Sequence, residues 1–185
     1  SGVLLATEPQ YPVGSDLAFK RMHFRGKDWA SMWIVRPTHI GYMRDAHAKE
    51  KIPLTINICV PPAVELVAAT QTLHVIVPYG TDELGIAGAL QGSPVETCKA
   101  KTVDAHALAQ AEWVIEGYVL PEKVWETDGA EKLGQKRETP FFPEWPGYLG
   151  KAGLAYKFQA TAITHRKASP IFYSVQAESF ECENI

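Results

Sequence analysis

The chain has 185 residues, 46% of them hydrophobic and 21% charged, with a formal net charge of -3 at neutral pH. That is enough apolar material for one large domain with its own core. The slightly negative balance offers no basic footprint for nucleic acid, and polar interruptions keep every apolar run short of a membrane span.

No secretory leader is legible, and the Ser1-Gly2 start reads as the residue of a tag. Cys59, Cys98 and Cys182 are odd in number and widely spaced, with no C-x-x-C pair. They support neither a zinc ribbon nor a thioredoxin site, and they argue against a disulfide framework, so a reducing cytoplasm is the expected compartment. Cys59 lies in an apolar run and is expected to be a buried thiol.

In chain order, "DLAFKRMHF" (16–24) alternates apolar and polar residues and is predicted to be one half-buried strand. A turn at 26–28 leads to a second strand over 29–35, and Pro37 opens a helix that runs through Ala48. "IPLTINICV" (52–60) is a buried strand stopped by Pro61-Pro62, and a short helix follows in "AVELVAAT". Residues 82–92 form another helix with acids in its first turn, as the helix dipole favours. Strands are predicted over 111–120 and 154–166, and the polar stretch 121–135 between them is expected to be a surface loop. Glu112 and Glu116 fall on one face of the first of these strands, at a spacing suited to ion pairs. Many strands joined by hairpins, with a few crossover helices, imply an α+β domain of barrel type. No G-x-G-x-x-G or P-loop follows a strand, which disfavours a Rossmann or nucleoside-triphosphate site.

The stretch "KRETPFFPEWPGYLG" (136–150) sets Glu138 and Glu144 among three prolines, two phenylalanines, a tryptophan and a tyrosine. Carboxyls beside apolar, partly desolvated surroundings hold their protons more tightly and can deliver them near neutral pH. Two solvated loop acids are the plain alternative. By residue type alone, Arg21 is a strand-face ion-pair partner, His39 a helix cap, and Trp145 and Tyr148 packing aromatics.

Seven pieces in order, "DLAFKR", "MWIVRPTHI", "IPLTINICVPP", "DELGIAGALQGSPVE", "AEWVIEGYV", "ETPFFPEWPGY" and "ATAITHRKASPIFYS", resemble the UbiD-type decarboxylases over nearly the whole chain. The resemblance implies a split β-barrel, FMN-binding-like α+β domain with short peripheral helices over residues 1–185, matching the central domain of a longer enzyme. It implies reversible, non-oxidative decarboxylation of an aromatic or α,β-unsaturated acid, with prenylated FMN as electron sink. It also implies a flavin prenyltransferase as cofactor supplier, a homo-oligomeric parent, and little turnover by this chain alone.

The family's Glu-Arg-Glu constellation falls by resemblance on Glu138, Arg21 and Glu144, with Arg21 orienting the substrate carboxylate and pairing with Glu138, and Glu144 as proton donor. One more residue separates the two acids here than in the family motif. The family's manganese (or magnesium) ion, which holds the flavin phosphate beside a potassium ion, falls on Asp16, His39 and Glu83, with Asp16 in place of the usual Asn. Leu17, Ala18, Phe19, Lys20 and Thr38 complete the implied cofactor contacts. A flavin-binding module without turnover and a flavin-reductase-like split barrel remain alternatives.

Overall fold

The structure is a computed structural model that describes residues 2–7, 15–70, 76–144 and 148–172. Trp145, His74 and Cys182 lie outside them. The elements run β1 (Gly2–Thr7), β2 (Ser15–Phe19), β3 (Met22–Phe24), β4 (Trp29–Met32), α1 (His39–Ala46), β5 (Ile52–Ile58), α2 (Pro62–Ala69) and α3 (Glu83–Gln91). They continue with β6 (Thr97–Lys99), β7 (His106–Leu108), β8 (Trp113–Trp125), α4 (Asp128–Gln135), β9 (Phe141–Pro143), β10 (Leu149–Lys151) and β11 (Leu154–His165).

One seven-stranded sheet in the order β2-β1-β5-β8-β11-β4-β3 carries the fold, and every pairing in it is antiparallel. Ribbons β6–β7 and β9–β10 are separate two-stranded sheets. Alternation along β1 sorts the two cores. Leu4 and Ala6 face one, with Met32, Leu54, Val119 and Phe158, and helix α1 adds Ile40 and Met43. Val3 and Leu5 face the other, which is covered by α2 and α3 through Val64, Val67 and Ala87.

The expected strand 16–24 is divided. β2 and β3 are the two opposite edges of the sheet, and only Lys20 and Arg21 separate them. Three peptide steps span at most about 11 Å. The two edges must therefore lie side by side, and the sheet curls into a barrel split at this seam. Apolar residues stand at 17 and 19 and again at 22 and 24, so only a one-residue slip at Lys20-Arg21 marks the break, and the stretch otherwise suggests a single strand. Irregular register between β8 and β11, at Tyr156/Phe158 and Ala160/Ala162, adds curvature. Gly117 sits opposite Ala160 beside that irregularity, where a Cβ would collide with the Gln159 carbonyl and the Phe158 ring.

The expected surface loop 121–135 is also corrected. β8 continues to Trp125, and α4 follows almost at once. Pro121 falls inside the first register shift, between the paired residues Val119 and Lys123, where no ladder donor is needed. Thr127 caps α4 by accepting from the Ala130 N–H at 2.9 Å, and Gly134 packs on the Trp125 ring. β1 was not anticipated. Glu112 precedes β8 and pairs with Arg166 at 3.0 Å, whereas buried Glu116 accepts from the Lys101 and Thr102 N–H groups instead of a cation. Cys59 is buried, as expected, and Cys98 is exposed.

Candidate functional site

Asp16, His39 and Glu83 come from three elements. Asp16 is in edge strand β2, His39 is the first residue of α1, and Glu83 is the first of α3. Ser15 ties the last of these to the sheet: it forms a parallel bridge to Asp82, its hydroxyl donates to the Asp82 carboxylate at 3.2 Å, and it accepts from the Leu84 N–H at 3.2 Å. One ligand atom from each of the three residues lies within 4.8 Å of the others, and their exposures are 1%, 7% and 1%.

The polar groups around the cluster set what it can bind. His39 Nε2 is 3.0 Å from the Val77 carbonyl, which can only accept, so the neutral ring keeps its lone pair on Nδ1, 3.7 Å from Glu83 Oε1. Glu83 Oε2 accepts from the Leu17 N–H at 2.6 Å. Among the described residues neither oxygen of Asp16 has a hydrogen-bond partner, although both are buried. Burial and the Asp16 charge push Glu83 up to about 8, and burial raises Asp16 likewise. Burial lowers Lys20, against the pull of the two carboxylates. Two buried acids, Asp16 with both oxygens unmet, beside an imidazole nitrogen fit a hard divalent cation, which would supply the missing positive charge.

Of the other residues implied to contact a cofactor, Leu17 and Ala18 bury their side chains in the two cores, and half-buried Phe19 packs on the second. Thr38 occupies the N-cap position of α1, but its hydroxyl donates to the Val35 carbonyl at 2.6 Å rather than capping the helix. Lys20 is half-buried at the seam.

Arg21 stands in the same seam and gathers two acids. Its Nε and Nη2 donate to the two oxygens of Glu126 at 2.8 and 2.9 Å, Nη2 also donates to the Lys151 carbonyl at 3.0 Å, and Nη1 donates to Glu144 Oε1. The Glu126 side chain is 2% exposed and accepts a further hydrogen bond from the Gly153 N–H at 3.2 Å. Burial raises its carboxyl above the ordinary range, opposed by Arg21.

Glu144 hangs from ribbon β9–β10 with its N–H on the Tyr148 carbonyl at 2.8 Å, and it is 30% exposed and ion-paired rather than desolvated. Gly150 makes that placement possible, because a Cβ there would meet Glu144 Oε1. Glu138 is exposed, and its carboxylate makes no hydrogen bond or ion pair among the described residues. The expected Arg21–Glu138 pair is not formed; Glu126 occupies that place. Glu126 does not stand out in the sequence, because it falls within the polar stretch 121–135. The one local signal is the helix start that follows it, Thr127 as N-cap with Asp128 and Glu131 in the first turn.

The family model described as "3-octaprenyl-4-hydroxybenzoate carboxy-lyase Rift-related domain" of UbiD matches residues 1–179. The chain belongs to this family. It is 34% identical over 171 residues, 90% of its length, to a gallate decarboxylase of Lactiplantibacillus plantarum, of which it covers 33%. Among solved structures it resembles the UbiD-class enzyme HmfF of Pelotomaculum thermopropionicum in an evolved dimeric form in complex with prFMN, with a TM-score of 0.77 and 30% identity over 97% of this chain and 38% of that one. It also resembles apo 3,4-dihydroxybenzoic acid decarboxylase (AroY) of Klebsiella pneumoniae, with a TM-score of 0.71 and 32% identity over 89% of this chain and 33% of that one. The chain thus spans about a third of the length of these relatives.

Proposed function

We propose that the chain is the cofactor-binding domain of a non-oxidative decarboxylase acting on an aromatic or α,β-unsaturated carboxylic acid with prenylated FMN. The observation that carries this reading is the pairing of two sites along one short stretch. Asp16 belongs to a buried O,N,O cluster, and five residues later Arg21 gathers Glu126 and Glu144.

Asp16, His39 and Glu83 would hold manganese or magnesium against the flavin phosphate, with potassium nearby. The metal would neutralise the two carboxylates and the phosphate together. Bound prenylated FMN would supply the electron sink that decarboxylation requires.

The chain's own residues do the remaining work. Loss of carbon dioxide breaks a carbon–carbon bond and leaves an electron pair that must finally take a proton. Arg21 attracts and orients the substrate carboxylate through charge and hydrogen bonding. Glu144, on the same guanidinium and partly open to solvent, is the group in reach to deliver the proton to carbon and to be recharged from water. Glu126, buried and bidentate, holds Arg21 in place. Residues 1–185 form one domain in this reading, which works inside a longer cytoplasmic, homo-oligomeric protein loaded by a flavin prenyltransferase.

A flavin-binding role without turnover is the second reading. It is favoured for the isolated chain by the one fact that it spans about a third of its relatives. The test is to co-produce the chain and its longer parent with a flavin prenyltransferase, record the bound-flavin spectrum, and measure carbon dioxide released from gallate and 3,4-dihydroxybenzoate. Flavin bound by both and turnover by the parent is expected. Absence of bound flavin in both would sink the proposal.

A further inference from the structure

An arginine side chain has five N–H donors: one on Nε and two on each terminal nitrogen. In Arg21 four are spoken for. Nε–H and one Nη2–H go to Glu126, the other Nη2–H to the Lys151 carbonyl, and one Nη1–H to Glu144. Among the described residues, one Nη1–H remains without a protein partner.

Two aromatic rings lie against the guanidinium as well. The Trp33 ring centroid lies 4.9 Å from Cζ and the Phe142 ring centroid 4.3 Å. The rings come from different parts of the chain, each fixed by backbone. The Trp33 N–H donates to the Arg21 carbonyl at 3.0 Å, directly after β4. Phe142 is in β9, in register with Gly150, on the ribbon that also carries Lys151 and leads into Glu144. Both aromatics are half-buried and belong to neither core cluster, so packing the hydrophobic core does not account for them.

We infer that Trp33 and Phe142 are positioning residues that clamp the Arg21 guanidinium by packing two rings against it, so that it offers an incoming carboxylate a single Nη1 donor beside Glu144. This rests on the decarboxylase reading given above. It also adds a constraint to that reading. The bidentate edge of Arg21 is taken by Glu126, and two rings crowd the guanidinium. The substrate carboxylate is therefore held by one hydrogen bond on the Glu144 side and not by a fork. The carbon that loses carbon dioxide is thereby kept near the proton donor. A cation held over aromatic faces gains little at exposed sites and more where water is excluded. Two rings on one guanidinium restrict its rotation about Cδ–Nε and Nε–Cζ.

The experiment is arginine side-chain NMR on the chain, labelled at the guanidinium nitrogens, with benzoate as the carboxylate probe. Parent, Trp33→Leu, Phe142→Leu and Trp33→Phe are compared, each with its melting temperature. In the parent and in Trp33→Phe, the Arg21 Nη protons should be slowly rotating and ring-shifted. In both leucine variants the rotation rate should rise about tenfold, the factor expected from losing one desolvated ring contact. The melting temperatures should stay close to that of the parent. Benzoate should shift an Nη1 proton and leave Nε–H unmoved.

Unchanged rotation in both leucine variants overturns the clamp. A benzoate-induced shift of Nε–H, or no shift at any Arg21 proton, overturns the single-donor arrangement. Failure of the decarboxylase reading looks different: rotation stays locked and ring-dependent, while the flavin-loaded parent enzyme releases no carbon dioxide.

Discussion

Arg21 and Glu126 are 105 residues apart in the chain and share two hydrogen bonds, of 2.8 and 2.9 Å, at the seam of the barrel. Arg21 stands between the two edge strands of one sheet, and Glu126 lies where β8 gives way to α4. Their pairing joins the split to the most extensively paired part of the sheet. Buried Glu126 has no other cation to balance it among the described residues. The pair is therefore a structural tie as well as part of the candidate site.

Glu126→Gln should accordingly destabilise the fold, whereas Glu138→Gln should not. Hydrogen bonds to charged groups contribute roughly 1.5–3 kcal/mol each, so a loss of about that size is expected for Glu126→Gln. Exposed Glu138 makes no side-chain hydrogen bond or ion pair among the described residues, and its substitution should stay within about 0.5 kcal/mol. Urea unfolding of both variants decides the point. Equal stabilities would remove Glu126 from its place as the partner of Arg21.

How far the residues alone reveal this arrangement depends on how local the cause is. The strands beginning at Trp29, Ile52, Trp113 and Leu154 and helices α1 to α3 follow from alternation, prolines and acidic first turns, and the structure has them within a few residues. Asp16, His39 and Glu83 were legible only by resemblance, because nothing in their spacing says that three elements meet. The seam at Lys20-Arg21 was hidden, since its only local sign is a one-residue slip in the apolar pattern, which does not say that the chain leaves one sheet edge and joins the other. Glu126 was hidden because Pro121 and three charged residues in 121–126 make the end of β8 look like a loop; the irregular register with β11 is what tolerates that proline. Glu138 drew notice through its family motif, but the chain between α4 and β9 leaves it on the surface.

Glu144→Gln tests the proton donor in the longer parent enzyme. The substitution keeps the shape and the hydrogen bond to Arg21 while removing the titrating proton. General acid catalysis contributes roughly 10²–10⁴-fold, and turnover should fall by about that factor. Flavin occupancy should be unchanged, because Glu144 is not among the three clustered ligand residues. Near-parental turnover at full occupancy would leave the β9–β10 ribbon with a structural role only.

Glu83→Gln tests the cluster. The amide cannot supply the second buried negative charge, so retention of a divalent ion and of the flavin phosphate should weaken. Folding should be kept or improved in the absence of metal, since a desolvated charge is removed. Manganese titration followed by calorimetry, together with the bound-flavin spectrum, reads both effects. Flavin retention equal to the parent's in the presence of a chelator would show that these residues do not hold the cofactor through a metal.

The same buried acids give the metal-free protein a definite pH dependence. Burial and the charge of Asp16 push Glu83 from 4.5 up to about 8, so across that interval the folded state holds a proton that the unfolded state has released. The folded state then binds more protons, and the slope of unfolding free energy against pH is negative. Stability is highest below about 4.5 as far as this group is concerned, falls as pH rises, and levels off above about 8. Asp16, raised by burial, acts in the same direction. Lys20, lowered by burial, acts in the opposite sense, but only between its depressed value and 10.5. Glu126 is also raised and adds a slope of the same sign that no metal at the cluster can remove. A divalent ion replaces the protons on Asp16 and Glu83 and stabilises their charged forms. Melting temperatures measured from pH 5 to 9 should therefore decline steeply with chelator and much less with manganese, and Glu83→Gln should flatten the chelator curve by itself. Parallel curves with and without manganese would mean that the three residues form a buried polar cluster with no claim on a metal.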